Sequence, residues 1–324
     1  MYTWYGMIRY IMPVREVQIV IEPRQMSYEE FPESTADTDG MRELITGRDD
    51  RYLVYRENIV YVQRDGMDLH LQLIIPAFVD DRKEKFPCIA YVQGSAWKKQ
   101  NVYWSLPQLV KFTQRGYVVA SIEYRSSGVA PFPAQVQDVK TALRFLRKNA
   151  REYGIDPWNF YLWGDSSGGH TALMAGITYG MPELDTDDYG EASLKINAVI
   201  DYYGPADIAK MNDALSTMDH TAPDSPEGLL IGGRNVLENR EEAQKASPIP
   251  YITDDRAAPP VLILHGDKDR IVPFEQSLLL FDALKAHRKK AMFYKLRGAD
   301  HGGPQFWTDQ VLDIVERFIK TYYR

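Results

Sequence analysis

Short, almost continuous apolar runs recur along the chain: PCIAYV (87–92), YVVASIEY (117–124), FYLWG (160–164), INAVIDYYG (196–204), VLILHG (261–266) and MFYKL (292–296). Strands buried on both faces read this way, and such strands belong to parallel sheets. Amphipathic stretches lie between the runs. The clearest is 134–153, where Val136, Val139, Leu143 and Leu146 fall on one helical face and Gly154 supplies a stop. Further helices are predicted over 105–115, 168–178, 275–288 and 305–322. Strand alternating with helix predicts an α/β fold, a mostly parallel central sheet flanked by helices.

Upstream, YRENIVYVQ and DLHLQLIIP alternate apolar and polar residues around Asp65-Gly66. That pattern predicts a β-hairpin at the sheet edge. Two polar, turn-rich segments, 180–195 and 205–250, break the strand–helix rhythm. They are expected as loop insertions forming a small cap over the active site. Residues 26–50 show little apolar periodicity, and 1–50 read as an irregular arm ahead of a domain spanning 51–324. Contact with a neighbouring subunit, giving a homo-oligomer, is one role open to that arm.

Composition narrows the class. At 44 % hydrophobic and 26 % charged residues, the chain is ordinary globular material, which excludes a disordered tail or a collagen-like repeat. A net charge of −7 argues against a nucleic-acid partner. The single cysteine, Cys88, has no internal disulfide partner and sits in an apolar run, so a buried core thiol is expected. No stretch approaches the ~18 apolar residues of a spanning helix, and no membrane partner is expected. The first residues, MYTWYGMIRYIMPVREV, are interrupted by Gly6, Arg9, Pro13 and Arg15 and make a poor signal peptide. A cytoplasmic location is the expectation; a secreted protein whose leader has been removed stays open.

The sharpest chemical signal is Gly164-Asp165-Ser166-Ser167-Gly168-Gly169 between a strand and a helix. Gly-x-Ser-x-Gly in that context is a nucleophile elbow: a tight turn lifts the serine Oγ above the sheet, at a helix N-terminus that favours developing negative charge. A serine needs a base, and the base an orienting acid, both later in the chain. Asp267 and Asp269 compete for the acid; Asp269 sits deeper in the turn before Val272-Pro273 and is favoured, with Asp267 capping the turn. Among the six histidines, only His301 has a loop position after the last strand with flanking glycines. His170 is expected beneath the elbow helix, His265 at the end of a buried strand and His220 in a solvated loop. An oxyanion hole is expected from the N–H groups of Ser167, Ser95 and Ala96, with Gly94 lending flexibility. Trp97 and Trp104 follow that loop and are candidate substrate walls, with Gly94 beside them. No histidine pair has metal-ligand spacing, so neither metal nor cofactor is expected.

These motifs resemble the α/β-hydrolase fold, specifically the esterase/lipase group of hormone-sensitive-lipase-like and feruloyl-esterase-like enzymes. The resemblance runs over roughly 55–322. EYRSSGVAPFPAQVQDVKTALRFLRKNAREYGIDPWNFYLWGDSSGGH is similar to the family's tyrosine-arginine loop, helix and elbow, HGDKDRIVP to its acid loop and DHGG to its histidine loop. It implies Ser166 as nucleophile, Asp269 as acid and His301 as base. Two departures stand out: Gln93-Gly94-Ser95 where the family has His-Gly-Gly, and Ser167 where it has Ala. The implied activity is a serine carboxylesterase. Loop aromatics and the lack of an apolar lid helix favour short acyl or aromatic esters of the acetyl or feruloyl type, on a small molecule or a plant polysaccharide. A prolyl-oligopeptidase-like peptidase, an arylformamidase-like amide hydrolase and a non-catalytic ligand receptor are the alternatives.

Overall fold

The structure, a computed structural model, describes residues 21–45, 51–78 and 84–324. The chain divides into two units, Met1–Thr46 and Gly47–Arg324. Of the first, residues 21–45 contain turns without helix or strand, and Ser27 and Glu30 exchange side-chain to backbone hydrogen bonds. The remainder of the expected arm, including the would-be signal region, lies outside the described residues.

The second unit is built on an eight-stranded sheet. Its strands are β1 (Arg51–Arg64), β2 (Met67–Phe78), β3 (Phe86–Val92), β4 (Val118–Ile122), β5 (Ile155–Asp165), β6 (Ala198–Tyr202), β7 (Val261–Gly266) and β8 (Ala291–Leu296), in the order β1-β2-β4-β3-β5-β6-β7-β8. The first two form the expected edge hairpin, and β2 runs antiparallel to β4; every other pairing is parallel. Alternation along the strands feeds two cores. On β3, Cys88, Ala90 and Val92 join the core beneath α2 (Ala134–Lys148), α3 (Ser167–Ile177) and α6 (Glu275–Ala286). Ile89 and Tyr91 face the opposite core, under α1 (Leu106–Gln114) and α7 (Asp309–Thr321). Cys88 is buried, as its apolar run predicts, and burial pushes its thiol up to about 12.

Two expectations need correction. Helix α2 ends at Lys148, five residues early, where the Asn149 side chain donates to the Phe145 carbonyl at 2.8 Å and the chain turns toward β5. The 180–195 segment does not cover the catalytic end. It leads into the N-terminal end of β6 and lies along α2, where Arg144 pairs with Asp185 at 2.7 Å and Thr141 bonds Thr186 at 2.9 Å. In a parallel sheet, the connection entering a strand sits at the opposite edge from the loops that leave strands and build sites. The 205–250 insertion leaves the C-terminal end of β6. It carries α4 (Pro226–Leu230) and α5 (Arg240–Lys245) and packs a small apolar cluster of Ile208, Leu230, Ile231, Val236, Ala243 and Ala246 around Trp97.

Candidate active site

Ser166 stands where β5 turns into α3. Its backbone sits at φ 53° and ψ −128°, a left-handed value that a non-glycine residue adopts only under constraint. The constraint is local. A Cβ on Gly164 would clash with the Gly168 carbonyl, and one on Gly168 with the Val92 carbonyl, so β3, β5 and α3 close on the turn as only glycine permits. The Ser166 N–H donates to Tyr202 O at 2.8 Å, tying the elbow to β6.

The turns after β7 and β8 complete the arrangement. His301 Nε2 lies 2.9 Å from Ser166 Oγ, and His301 Nδ1 lies 2.7 Å from Asp269 Oδ2. The other oxygen, Asp269 Oδ1, accepts the N–H groups of Ile271 and Val272, each at 2.9 Å. Burial works against the Asp269 charge, but hydrogen bonds from His265 and His301 outweigh it and hold the carboxyl well below its ordinary range. A carboxylate fixed on Nδ1 leaves Nε2 free to take a proton from the serine, which is the geometry of nucleophilic acyl transfer. The competing acid has another partner: Asp267 accepts the Gly298 N–H at 2.6 Å; Asp300, next to His301, pairs with Arg270 at 2.5 Å.

The comparisons with known proteins agree with this architecture. A family model described as BD-FAE matches residues 73–284, more than half of the chain. The chain belongs to the BD-FAE family. Esterase LipC of Mycobacterium tuberculosis is 29 % identical over 78 % of this chain and 60 % of its own length. The chain spans 47 to 62 % of the curated relatives it matches. Among solved structures, a truncated carbohydrate esterase from gut microbiota superposes with a TM-score of 0.74 at 30 % identity, covering 83 % of this chain and 96 % of that one. Esterase Est2 of Thermogutta terrifontis, with propionate bound, gives a TM-score of 0.65 at 26 % identity over 82 % of this chain and 93 % of its own. The fold is the α/β-hydrolase fold.

In this BD-FAE chain the loop after β3, expected to help form an oxyanion hole, differs from the expectation in detail. The Ser95 N–H is not free; it donates to Ser167 Oγ at 2.9 Å, while Ser95 Oγ donates to Lys98 O at 2.7 Å. The Gly94 N–H is spent on Asp165 Oδ1 at 3.0 Å, an oxygen that Tyr91 OH also reaches at 2.6 Å. The two neighbours of Ser166 therefore grip consecutive amides of the loop. Gly94 packs against the elbow backbone, so it shapes the loop rather than touching substrate. Two donors remain. The Ala96 N–H, at φ 55°, makes no hydrogen bond among the described residues, and the Ser167 N–H opens α3, where no intrahelical acceptor exists.

Trp97 is not a substrate wall. It is 1 % exposed, its indole N–H donates to His170 Nδ1 at 3.2 Å, and it packs into the 205–250 cluster. Trp104 is 76 % exposed. His170 lies beneath the elbow as expected, with Nε2 2.6 Å from Ala246 O.

Sequence reasoning passed over three contributors. His265 Nε2 lies 3.1 Å from Asp269 Oδ2, and its Nδ1 2.7 Å from Ser277 Oγ. The Tyr203 ring packs on His301 with centroids 4.7 Å apart. Asp165 orders the oxyanion loop; burial raises its carboxyl against the pull of the Tyr91 and Gly94 hydrogen bonds. His265 and Asp165 each sit within four residues of a triad member, the one signal that could have singled them out. Among the described residues, no group of three His, Cys, Asp or Glu side chains is placed to hold a metal ion.

Proposed function

We propose that this chain is a serine carboxylesterase that removes small acyl groups, of the acetyl or feruloyl type, from carbohydrate esters. The observation that carries the reading is the continuous line from Ser166 Oγ through His301 to Asp269, at 2.9 and 2.7 Å. In this reading His301 Nε2 accepts the Ser166 proton as Oγ attacks the ester carbonyl. The N–H groups of Ala96 and Ser167 hold the oxyanion, each such donor being worth roughly 3 kcal/mol in the transition state. Asp269 fixes the tautomer and stabilises the imidazolium. His301 then passes its proton to the departing alcohol, and the acyl-enzyme is cleared by water activated by the same histidine.

The carbohydrate-esterase neighbour supports the alcohol half. The propionate and butyrate bound to Est2 support a short acyl half. A hydrolysis panel of p-nitrophenyl acetate, butyrate and decanoate, methyl ferulate and acetylated xylan tests both halves. The expected result is Ser166-dependent turnover of the acetate, butyrate or ferulate esters, with decanoate poor and Ser166→Ala inactive. Turnover unchanged in Ser166→Ala, or confined to decanoate, overturns it.

A further inference from the structure

His220, expected in a solvated loop, is buried. It lies in the stretch following β6, is 2 % exposed, and its Nδ1 stands 3.0 Å from Oε1 of Glu227, on α4, itself 3 % exposed. Its Nε2 lies 3.0 Å from the Ile271 carbonyl and 3.0 Å from Ser216 Oγ. Ser216 Oγ also reaches Ile271 O at 2.9 Å, and the direction of its contact with Nε2 follows the protonation of the ring. Both ring nitrogens thus face acceptors. A neutral imidazole carries one N–H; an imidazolium carries two, one reaching the Ile271 carbonyl and one on the nitrogen that pairs by charge, without hydrogen-bond geometry, with the Glu227 carboxylate.

We propose that His220, held as an imidazolium against Glu227, is a positioning residue for the Asp269 carboxylate. The proposal rests on the esterase reading of the site. His220 grips the Ile271 carbonyl, and the N–H groups of Ile271 and Val272 hold Asp269 Oδ1, each at 2.9 Å. The same loop donates the Thr217 N–H and Oγ1–H to the Arg270 carbonyl, each at 2.8 Å. The 205–250 insertion is in this way fastened to the turn that carries the acid. The charged groups around His220 are Glu227 from α4, Asp219 beside it in the chain, and Asp269 and Arg270 on the acid turn. Arg270 is already paired with Asp300, and Asp269 is bound by His265 and His301. Burial disfavours the His220 charge, but Glu227 outweighs it and raises the imidazole above its ordinary value. A raised value means the clamp is whole below the ordinary imidazole range and loosens only as pH rises through the raised value.

The test is kcat and KM against pH for wild type, His220→Ala and Glu227→Gln on p-nitrophenyl acetate, with the imidazole nitrogen shifts read by NMR. His220→Ala is expected to lose about tenfold or more in kcat below the alkaline limb of wild type, with KM little changed, and to converge on wild type above it. Glu227→Gln lets a neutral His220 accept from the amide while its Nε2–H still reaches Ile271. It is therefore expected to keep kcat at neutral pH and to remove a fall seen at alkaline pH in wild type. NMR should show an imidazolium at pH 7. Wild-type kcat in His220→Ala, an alkaline limb in Glu227→Gln that superposes on that of wild type, or a neutral ring at pH 7 each overturns the proposal. Absence of Ser166-dependent turnover in wild type overturns the esterase reading instead, and the NMR result still decides the charge of His220.

Discussion

Asp269 uses both oxygens fully: Oδ1 takes two backbone N–H groups, and Oδ2 takes His301 and His265. Removing the carboxylate in Asp269→Ala should lower kcat by roughly 10⁴-fold while substrate still binds. Steady-state kinetics checks this; a loss confined to KM would contradict it. Because Asp269 stays ionised well below the ordinary carboxylate range, the acid limb of kcat/KM should follow a single proton, with no contribution from Asp269. A limb with a slope of two would contradict the assignment. That Ser166, Asp269 and His301 come together was legible in the sequence because each occupies a turn just past an apolar run, with glycines or a Val-Pro pair to mark it. His265 and Asp165 were not, since proximity to Asp269 and Ser166 is common to many residues and does not show that the His265 ring binds Asp269 Oδ2 or that Asp165 reaches the Gly94 amide on the neighbouring strand's loop. Ser95 misled for a related reason: an alanine after the nucleophile would leave its N–H free, whereas the Ser167 hydroxyl captures it.

At the scale of elements, the strands and helices were readable from periodicity, and the insertions were not. Both segments are polar and turn-rich, yet 180–195 enters a strand and 205–250 leaves one, which sends them to opposite ends of the sheet. Trp97 shows what a loop aromatic does when an insertion closes over it: it becomes the centre of a small core joining the loop after β3, α3 and the insertion. Trp97→Ala should therefore cost about 3–5 kcal/mol of stability by opening a cavity. Denaturant unfolding measures this, and a cost below about 1 kcal/mol would restore the indole to the surface.

For the whole molecule, stability should depend on pH through His170. Burial lowers its imidazole from 6.5 to about 4, against the pull of the Ala246 carbonyl. Its neutral tautomer is fixed, with Nδ1 accepting from Trp97 and Nε2–H donating to Ala246. In the unfolded chain the ring binds a proton near 6.5, while the folded chain resists protonation down to about 4. Stability is therefore lost as pH falls across that interval, by about 3 kcal/mol in all. Unfolding midpoints at several pH values should show this slope, and His170→Gln should flatten it; an equal slope in the variant would contradict the assignment. In the proposed chemistry one nucleophile, Ser166, is held at the end of β5 by glycine crowding and activated by His301 from the turn after β8. Its most direct test is to treat wild type and His301→Gln with paraoxon and map the adduct by mass spectrometry. One diethylphosphoryl group on Ser166, formed rapidly in wild type and slowly in His301→Gln, is the result expected. Label on another residue, or equal rates in the two proteins, would contradict it.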